Sequence, residues 1–180
     1  FLVSLHFRAP HSAWLPVRPE DWEPFKDLDP EIPNPDFPNL NVELVKKRTR
    51  EYLAAVKSVD RNVGRVLDAL DTLNLTDNTI VVFTSDHGYN LGEHGTWFKG
   101  NAQRILKTNP PKRWDDIPAG RRPNLWDTSL RVPTAIRWPG TIKPGTVHHQ
   151  TFSNLDWFPT LLAMAGIKSS RKLELRGEDF

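Results

Sequence analysis

The sequence predicts an α/β fold in which helices pack against a mostly parallel sheet, and three segments lead to this prediction. Apolar runs typical of buried strands occupy residues 1–6 (FLVSLH) and 79–85. A helical pattern fills residues 41–73 between them. A strand, a helix and a second strand in this order are typical of the βαβ unit, whose strands run parallel in one sheet.

The middle of this unit divides into an irregular segment and a helix. Prolines recur between residues 16 and 38, and because each fixes φ and lacks an N–H donor, we predict an irregular surface segment there. Apolar residues then recur at helical spacing, which predicts a long helix lying on an apolar surface. These residues are Val45, Tyr52, Val56, Val59, Val63, Val66, Leu70 and Leu73.

Two further elements follow the second strand. Residues 131–138 (RVPTAIRW) predict a strand that ends at Pro139. Residues 156–165 predict a helix with Pro159 in its first turn and Gly166 as the residue that ends it.

Composition excludes several classes of protein. Of the 180 residues, 38% are hydrophobic and 26% charged, which allows a packed core and does not indicate disorder. The formal net charge is +2 and the basic residues form no stripe, so nucleic acid is not an expected partner. The absence of cysteine excludes disulfides and thiolate metal sites within these residues. The sequence contains no run of about 18 apolar residues, the length that a membrane-spanning helix requires, so no membrane span is expected.

The stretch TSDHGYNLGEHGTWFKG, at 84–100, carries candidate metal ligands. Asp86 and His87 follow the apolar run 79–83, and α/β proteins bind ligands at the carboxyl ends of strands. Gly88 permits the turn that would direct both side chains at one ion. Imidazole favours transition metals, whereas Ca²⁺ prefers oxygen ligands. The alternative is that Asp86 caps a turn and His87 packs beneath it.

The rest of this stretch supplies glycines and one lysine. We expect the glycines at 88, 92, 95 and 100 to let the loop approach a small ligand closely. Lys99 would then donate to an anion held on the metal, because an ammonium group offers three donors to a tetrahedral oxyanion. A solvated surface lysine is the alternative.

The same stretch resembles the signature of sulfatases in the alkaline-phosphatase-like superfamily, and particularly their iduronate-2-sulfatase-like branch, which carries Asp-His where many arylsulfatases carry Asp-Asn. Four other places share the resemblance: HFRAPH at 6–11, the long helix leading into DNTIVVFTSDHG at 77–88, TSLRVPTAIRWPG at 128–140 and DWFPTLLAMAGI at 156–167. The resemblance implies an α/β/α sandwich with a large mixed, mostly parallel sheet, which is incomplete in this chain.

The resemblance also implies roles for individual residues. Asp86 and His87 would bind the active-site divalent cation, usually Ca²⁺ in sulfatases of this type, and Lys99 would contact a sulfate oxygen. His11 would hydrogen-bond the sulfate or the leaving oxygen and help to protonate it. These roles agree with the general chemistry of clamping and protonating a transferring oxyanion. We expect His6 to be buried and structural, and His94 to be either loop scaffold or pocket rim.

The nucleophile expected of a sulfatase is not found in this sequence. Sulfatases use a formylglycine made from the first residue of a Cys/Ser-x-Pro-x-Arg motif, and no such motif occurs here. The chain also begins within an apolar run, without an initiator methionine. We therefore expect residues 1–180 to be the C-terminal portion of a sulfatase catalytic domain, inactive alone, with the nucleophile in a missing N-terminal part.

Residues 101–126 look like an inserted loop that is both basic and aromatic. Arginine pairs with sulfate or carboxylate and tryptophan stacks on sugar rings, so Arg104 and Trp114 are candidates for binding a sulfated saccharide. A solvated loop whose charges only keep it soluble is an equal alternative.

The favoured function is therefore that of a sulfuric ester hydrolase acting on a sulfated saccharide or a similar small ester. One alternative is a phosphonate or phosphate ester hydrolase of the same superfamily, with Mn²⁺ at the same ligands. Another is a non-catalytic module that binds sulfated glycans. The resemblance further implies a periplasmic, secreted or lysosomal location.

Overall fold

The computed structural model describes residues 1–99 and 125–167. The chain forms two compact units, Phe1–Thr141 and Ile142–Phe180. The helices and strands of the first unit are α1 (Pro19–Trp22), α2 (Val42–Thr72), β1 (Val81–Phe83), α3 (Asp127–Leu130) and β2 (Ala135–Arg137), with 3₁₀ turns at Thr76–Asn78 and Glu93–Gly95. The second unit contains α4 (Trp157–Met164).

Helix α2 confirms the long helix predicted between residues 41 and 73. Its N-cap is Asn41, whose side chain accepts a hydrogen bond from Leu44 N at 3.3 Å. The buried side chains lie in its first eighteen residues and include Val45, Ala54 and Val59, whereas Val66, further on, is partly exposed. The described residues therefore cover the apolar stripe along the first half of the helix.

A small apolar core sits at the N-terminal end of α2. Leu40 and Val45 are buried there, packed by the partly buried side chains of Ile32, Phe37 and Trp97. Trp97 belongs to the glycine-rich segment 84–99, so this core is one of the surfaces on which that segment rests.

Strands β1 and β2 pair antiparallel, with Val81 opposite Arg137 and Phe83 opposite Ala135. Both are shorter than the strands predicted at 79–85 and 131–138. The hydroxyls of Thr84 and Thr134 continue the pairing at 2.9 Å, one residue beyond the ladder. The first residue after β1 therefore lies beside the last residue before β2.

The strand predicted at residues 1–6 is not formed. No described strand pairs with this segment, and Phe1, Leu2 and Val3 are exposed. A strand needs a neighbour to satisfy its backbone N–H and C=O groups, and an apolar sequence alone does not provide one. His6 is also exposed, with Nε2 2.8 Å from Ser4 Oγ, so the prediction that it is buried was wrong.

The proline-rich segment is largely irregular, as predicted, but it contains the single-turn helix α1. Pro19 is the first residue of α1, where a missing N–H leaves no helical hydrogen bond unmade. Asp21 in this turn is fully buried, and Arg61 of α2 donates to both its carboxylate oxygens, from Nε at 3.2 Å and Nη2 at 2.8 Å. The ion pair therefore fastens the segment to α2.

We expect the Arg61→Gln variant to lose stability in a pH-dependent way. The hydrogen bond from Arg61 lowers the pKa of Asp21 below its ordinary value of 3.8. The stabilisation from a lowered carboxyl pKa is complete above 3.8 and is lost as the pH falls towards the folded-state value. Urea unfolding at a series of pH values should show a lower free energy of unfolding for the variant near pH 7 and a value closer to wild type in acid.

The control for this variant is Lys57→Gln, which removes an exposed charge from the same helix. A stability difference for Arg61→Gln that stays constant from pH 7 to acid would contradict the role given to the ion pair.

The second unit contains the predicted C-terminal helix. In α4, Pro159 lies in the first turn, and the helix ends in a Schellman motif at Gly166, whose φ is +67°. Gly166 N donates to Ala163 O at 2.9 Å, and Ile167 N donates to Leu162 O at 2.9 Å. Among the described residues, no helix combines the length and the apolar character that a membrane crossing requires.

Candidate functional site

Asp86 and His87 lie just past the carboxyl end of β1. Asp86 Oδ2 is 3.5 Å from His87 Nε2. The Asp86 side chain is 83% exposed and that of His87 is 35% exposed. The two candidate ligands therefore point at a common space open to solvent.

The hydrogen bonding of His87 fixes which nitrogen faces that space. His87 Nδ1 lies 2.8 Å from Gly88 O, and because a carbonyl oxygen only accepts, Nδ1 carries the proton. In the neutral ring, Nε2 then presents a lone pair to the Asp86 carboxylate. Two facing acceptors repel each other unless a proton or a metal cation lies between them.

These two atoms fit a shared divalent cation. Calcium–oxygen bonds of about 2.3–2.6 Å allow two ligands of one ion to stand about 3.5 Å apart. At metal sites, a ligating imidazole is usually held by a hydrogen bond that its other ring nitrogen donates. Within residues 1–99 and 125–167, no group of three or more His, Asp or Glu side chains could hold a metal. Asp86 and His87 are therefore a pair of candidate ligands, and their binding of an ion stays a prediction.

Gly88 fixes the segment that carries Asp86 and His87 against helix α3. Its N–H donates to Ser129 O at 2.8 Å. A Cβ at this position would lie 2.1 Å from Thr128 O and 2.9 Å from Arg131 O, both backbone atoms. Only glycine allows this close approach between the segment after β1 and the segment before β2.

Asn90 joins three parts of the site. Its side chain is buried, and its amide nitrogen donates to Phe98 O and, at 2.7 Å, to Ser129 Oγ. Its amide oxygen accepts from Thr128 Oγ1 at 2.6 Å. The asparagine therefore holds both arms of the loop and fastens them to α3. This role was not predicted from the sequence, because the partners of Asn90 lie far along the chain and only the fold brings them together.

The loop between Asn90 and Phe98 closes on itself through its backbone. Leu91 N donates to Trp97 O at 3.2 Å, and Gly92 N donates to Thr96 O at 2.8 Å. Lys99 follows directly, so the chain brings it back beside Asn90. The predicted return of Lys99 is thus consistent with the loop, and its contact with an anion stays a prediction.

The glycines of the loop approach the protein's own core. Gly92 has φ of +99°, and a Cβ there would lie 2.8 Å from Val45 Cγ1. A Cβ on Gly95 would lie 2.4 Å from Phe37 Cε1. Gly92 and Gly95 therefore let the loop pack closely on this core, and the approach of the loop to a small ligand stays a prediction.

Aromatic side chains support the loop from the side of α2. The Tyr89 ring stacks on Tyr52 with centroids 6.0 Å apart, and Trp14 meets Tyr52 and Tyr89 edge-on. Burial raises the pKa of Tyr89 well above its ordinary value of 10.0, so its hydroxyl stays protonated. Trp14 and Tyr52 therefore fix the position of Tyr89, the residue that follows Gly88.

His94 lies on the far side of the loop. Its φ is +52°, its N–H donates to Asn34 Oδ1 at 2.8 Å, and its ring stacks on Trp126 with centroids 3.9 Å apart. These contacts are those of loop scaffold, one of its two predicted roles. A contact with substrate stays a prediction for His94.

His11 lies in an open groove of about 640 Å³ whose lining includes Arg8, Arg18 and Arg61. The ring is exposed and donates from Nδ1 to Ser12 O at 2.7 Å. Asp86, His87 and Lys99 do not line this groove. The described contacts therefore bring together Asp86, His87 and the backbone before Lys99, and do not connect His11 to them.

The remaining predicted site residues, Arg104 and Trp114, fall outside the described residues. The same is true of most of the predicted insertion at 101–126.

The comparison with known proteins names the family to which this chain belongs. The family model described as Sulfatase matches residues 1–167. The chain therefore belongs to the sulfatase family.

Curated relatives agree with this assignment. N-acetylglucosamine-6-O-sulfatase of Bacteroides thetaiotaomicron is 38% identical over 66% of this chain and 17% of its own length. Human iduronate 2-sulfatase is 32% identical over 88% of this chain and 28% of its own length. The chain spans less than a third of the length of these two relatives.

Solved structures confirm the predicted alkaline-phosphatase-like α/β fold. A sulfatase from Bacteroides fragilis superposes with a TM-score of 0.71 at 32% identity, over 95% of this chain and 33% of that one. A protein in complex with its substrate D-glucosamine-2-N,6-O-disulfate has a TM-score of 0.56 at 32% identity, over 77% and 23%. A phosphonate monoester hydrolase from Silicibacter pomeroyi has a TM-score of 0.59 at 25% identity, over 92% and 29%.

Proposed function

We propose that the protein hydrolyses sulfate esters of saccharides, with Asp86 and His87 as two ligands of a divalent cation and Lys99 as a sulfate contact. One observation carries this proposal: Asp86 Oδ2 and His87 Nε2 face each other at 3.5 Å, past the carboxyl end of β1, in a member of the sulfatase family.

The chain's own residues would divide the work as follows. The bond from His87 Nδ1 to Gly88 O holds the imidazole with Nε2 toward the ion, and Asp86 adds a negative charge. The bound cation would withdraw charge from the sulfate oxygens as a Lewis acid. Lys99, returned by the loop, would neutralise charge on the same group.

His11 is proposed to protonate the leaving oxygen. Because its Nδ1 is committed to Ser12 O, donation to the substrate would come from Nε2, which requires the doubly protonated ring.

Two components of the proposal lie outside the described site. The nucleophile would be a formylglycine outside these 180 residues, since they contain no Cys/Ser-x-Pro-x-Arg motif. The ion would be Ca²⁺, for which carboxylate oxygens are suitable ligands, with further ligands from elsewhere in the protein.

Some of the relatives are named for saccharide sulfates and support a saccharide substrate, whereas others are named steryl-sulfatase and choline-sulfatase. Two sulfatase relatives are named for N-acetylglucosamine and for iduronate, and one solved neighbour holds a disulfated glucosamine. We further propose that Arg104 and Trp114 contact the sugar, the first through its guanidinium and the second by stacking.

A second candidate function is the hydrolysis of phosphonate or phosphate esters with Mn²⁺. The structural match to a phosphonate monoester hydrolase favours this function over that of a non-catalytic glycan-binding module. The same Asp-His pair and lysine would act on either tetrahedral oxyanion.

The test is the ratio of turnover of 4-methylumbelliferyl sulfate to that of a phenylphosphonate monoester, with Ca²⁺ or Mn²⁺, for the protein at its natural full length. We expect faster sulfate turnover, sustained by Ca²⁺. Faster phosphonate turnover with Mn²⁺ would establish the second candidate. Binding of a sulfated glycan without turnover of either ester would establish a non-catalytic module.

We expect Lys99→Gln to lower kcat for the sulfate ester by about a hundredfold or more, because one preorganised charge on the transferring group is removed. Lys47→Gln, which neutralises an exposed lysine of α2, is the matched control. Equal kcat values for the two variants would show that Lys99 is a solvated surface lysine.

A further inference from the structure

The groove that contains His11 is a second polar feature of the first unit. It lies between the segment that includes residues 8–18 and helix α2, from which Ala55, Ser58 and Arg61 line it. Its volume of about 640 Å³ falls within the range of small-molecule sites. It is open to solvent, so a group on an extended molecule can enter it.

Arginine dominates the polar lining of the groove. Arg61 uses Nε and Nη2 for Asp21, and Nη2 also lies 3.4 Å from Ser58 Oγ, which leaves its Nη1 donors without a partner among the described residues. Arg18 pairs with Glu20 at 3.4 Å, and both side chains are more than half exposed, so solvent screens this pair.

The charges of the groove are therefore not cancelled inside it. Asp21 is fully buried behind Arg61, and Glu20 does not line the groove. Arg8 is exposed on the opposite wall, beside His11. The groove surface thus presents several guanidinium donors and no carboxylate. A guanidinium fork matches the oxygens of a tetrahedral sulfate and those of a planar carboxylate.

We propose that this groove binds a second anionic group of a saccharide, either a sulfate or a carboxylate, that is not the group being hydrolysed. The identity of the ligand as a saccharide rests on the proposed function. The location of the oxyanion subsite rests on Arg8, Arg18 and Nη1 of Arg61. It would select substrates with two negative groups over those with one.

The test is a double variant, Arg8→Gln with Arg18→Gln, compared with Lys57→Gln. Both arginines are exposed, so the protein should fold, and Lys57→Gln removes a charge from α2 beside the groove at a residue that does not line it. The probes are a disaccharide with one sulfate and one uronate carboxylate, its uronate methyl ester, a monosulfated hexosamine and a disulfated hexosamine. Calorimetry gives the affinities, and the ¹H–¹⁵N signal of the Trp14 indole reports from the groove wall.

We expect the double variant to bind the doubly charged probes about tenfold more weakly, through loss of charge-assisted hydrogen bonds, and to bind the singly charged probes as before. A loss confined to the disaccharide identifies carboxylate, and one confined to the disulfated hexosamine identifies sulfate. A double variant that binds every probe as Lys57→Gln does, or a Trp14 signal that stays fixed, would overturn the proposal.

The experiment also distinguishes a failure of the oxyanion subsite from a failure of the proposed function. Tight, Arg8-dependent binding by a protein that hydrolyses no ester would leave the subsite in place and remove the proposed function. Turnover of 4-methylumbelliferyl sulfate with no preference for doubly charged sugars would do the reverse.

Discussion

Replacing Gly88 with alanine should abolish turnover and destabilise the protein. The new Cβ would lie 2.1 Å from Thr128 O, and because that atom is backbone, α3 and the segment that carries Asp86 and His87 would have to separate. Overpacking of this kind costs about 1–3 kcal/mol. Separation would also break the bond from Gly88 N to Ser129 O and misplace the carbonyl that holds His87.

The comparison for this variant is Gly64→Ala. Gly64 lies inside α2, and a Cβ there meets nothing within 4 Å. Alanine at that position should stabilise the helix by about 0.5–1 kcal/mol and leave turnover unchanged. Urea unfolding measures the stability of both variants, and kcat measures their turnover. An active Gly88→Ala protein would show that contact with α3 does not position the site.

Asp86→Asn and His87→Gln should each lower turnover of a sulfate ester by about a thousandfold. A Lewis-acid cation contributes several kcal/mol to the stabilisation of the transition state, and each change removes one of its ligands. Asparagine keeps a ligand oxygen, so added metal should restore part of the activity of Asp86→Asn and less of that of His87→Gln. Metal titrations of kcat measure both effects.

His149→Gln serves as the matched histidine change, since His149 is exposed in the second unit. If the His87 and His149 variants retained equal activity at every metal concentration, the structural alternative for Asp86-His87 would hold. In that case Asp86 caps the turn after β1, and His87 only packs against it.

The elements that could be predicted from sequence are those whose signal is local. Helix α2 carries a long apolar stripe and an asparagine cap, and α4 has Pro159 and Gly166 at the two ends. The segment 1–6 has the composition of a strand, but strand formation depends on a neighbour, and no described strand pairs with it. The antiparallel pairing of β1 with β2 is likewise a long-range property.

The site was predictable to a similar extent. The adjacency of Asp86 and His87 is local, and the metal-ligand interpretation followed from residue types at the end of a strand. The hydrogen bonds from Asn90 to α3 were not predictable, because Thr128 and Ser129 reach Asn90 only through the pairing of β1 with β2. The contact of Gly92 with Val45 was not predicted, since glycine spacing does not distinguish an approach to a ligand from an approach to the core.

The central claim is that His87 Nε2 binds the active-site cation, and electron spin-echo spectroscopy tests it most directly. The protein at its natural full length would be loaded with Mn²⁺ after labelling its histidines with ¹⁵N. We predict a ¹⁵N coupling from a directly bound imidazole that disappears in His87→Gln and remains in His149→Gln. A loaded wild-type protein without this coupling, or a coupling that persists in His87→Gln, would contradict the assignment.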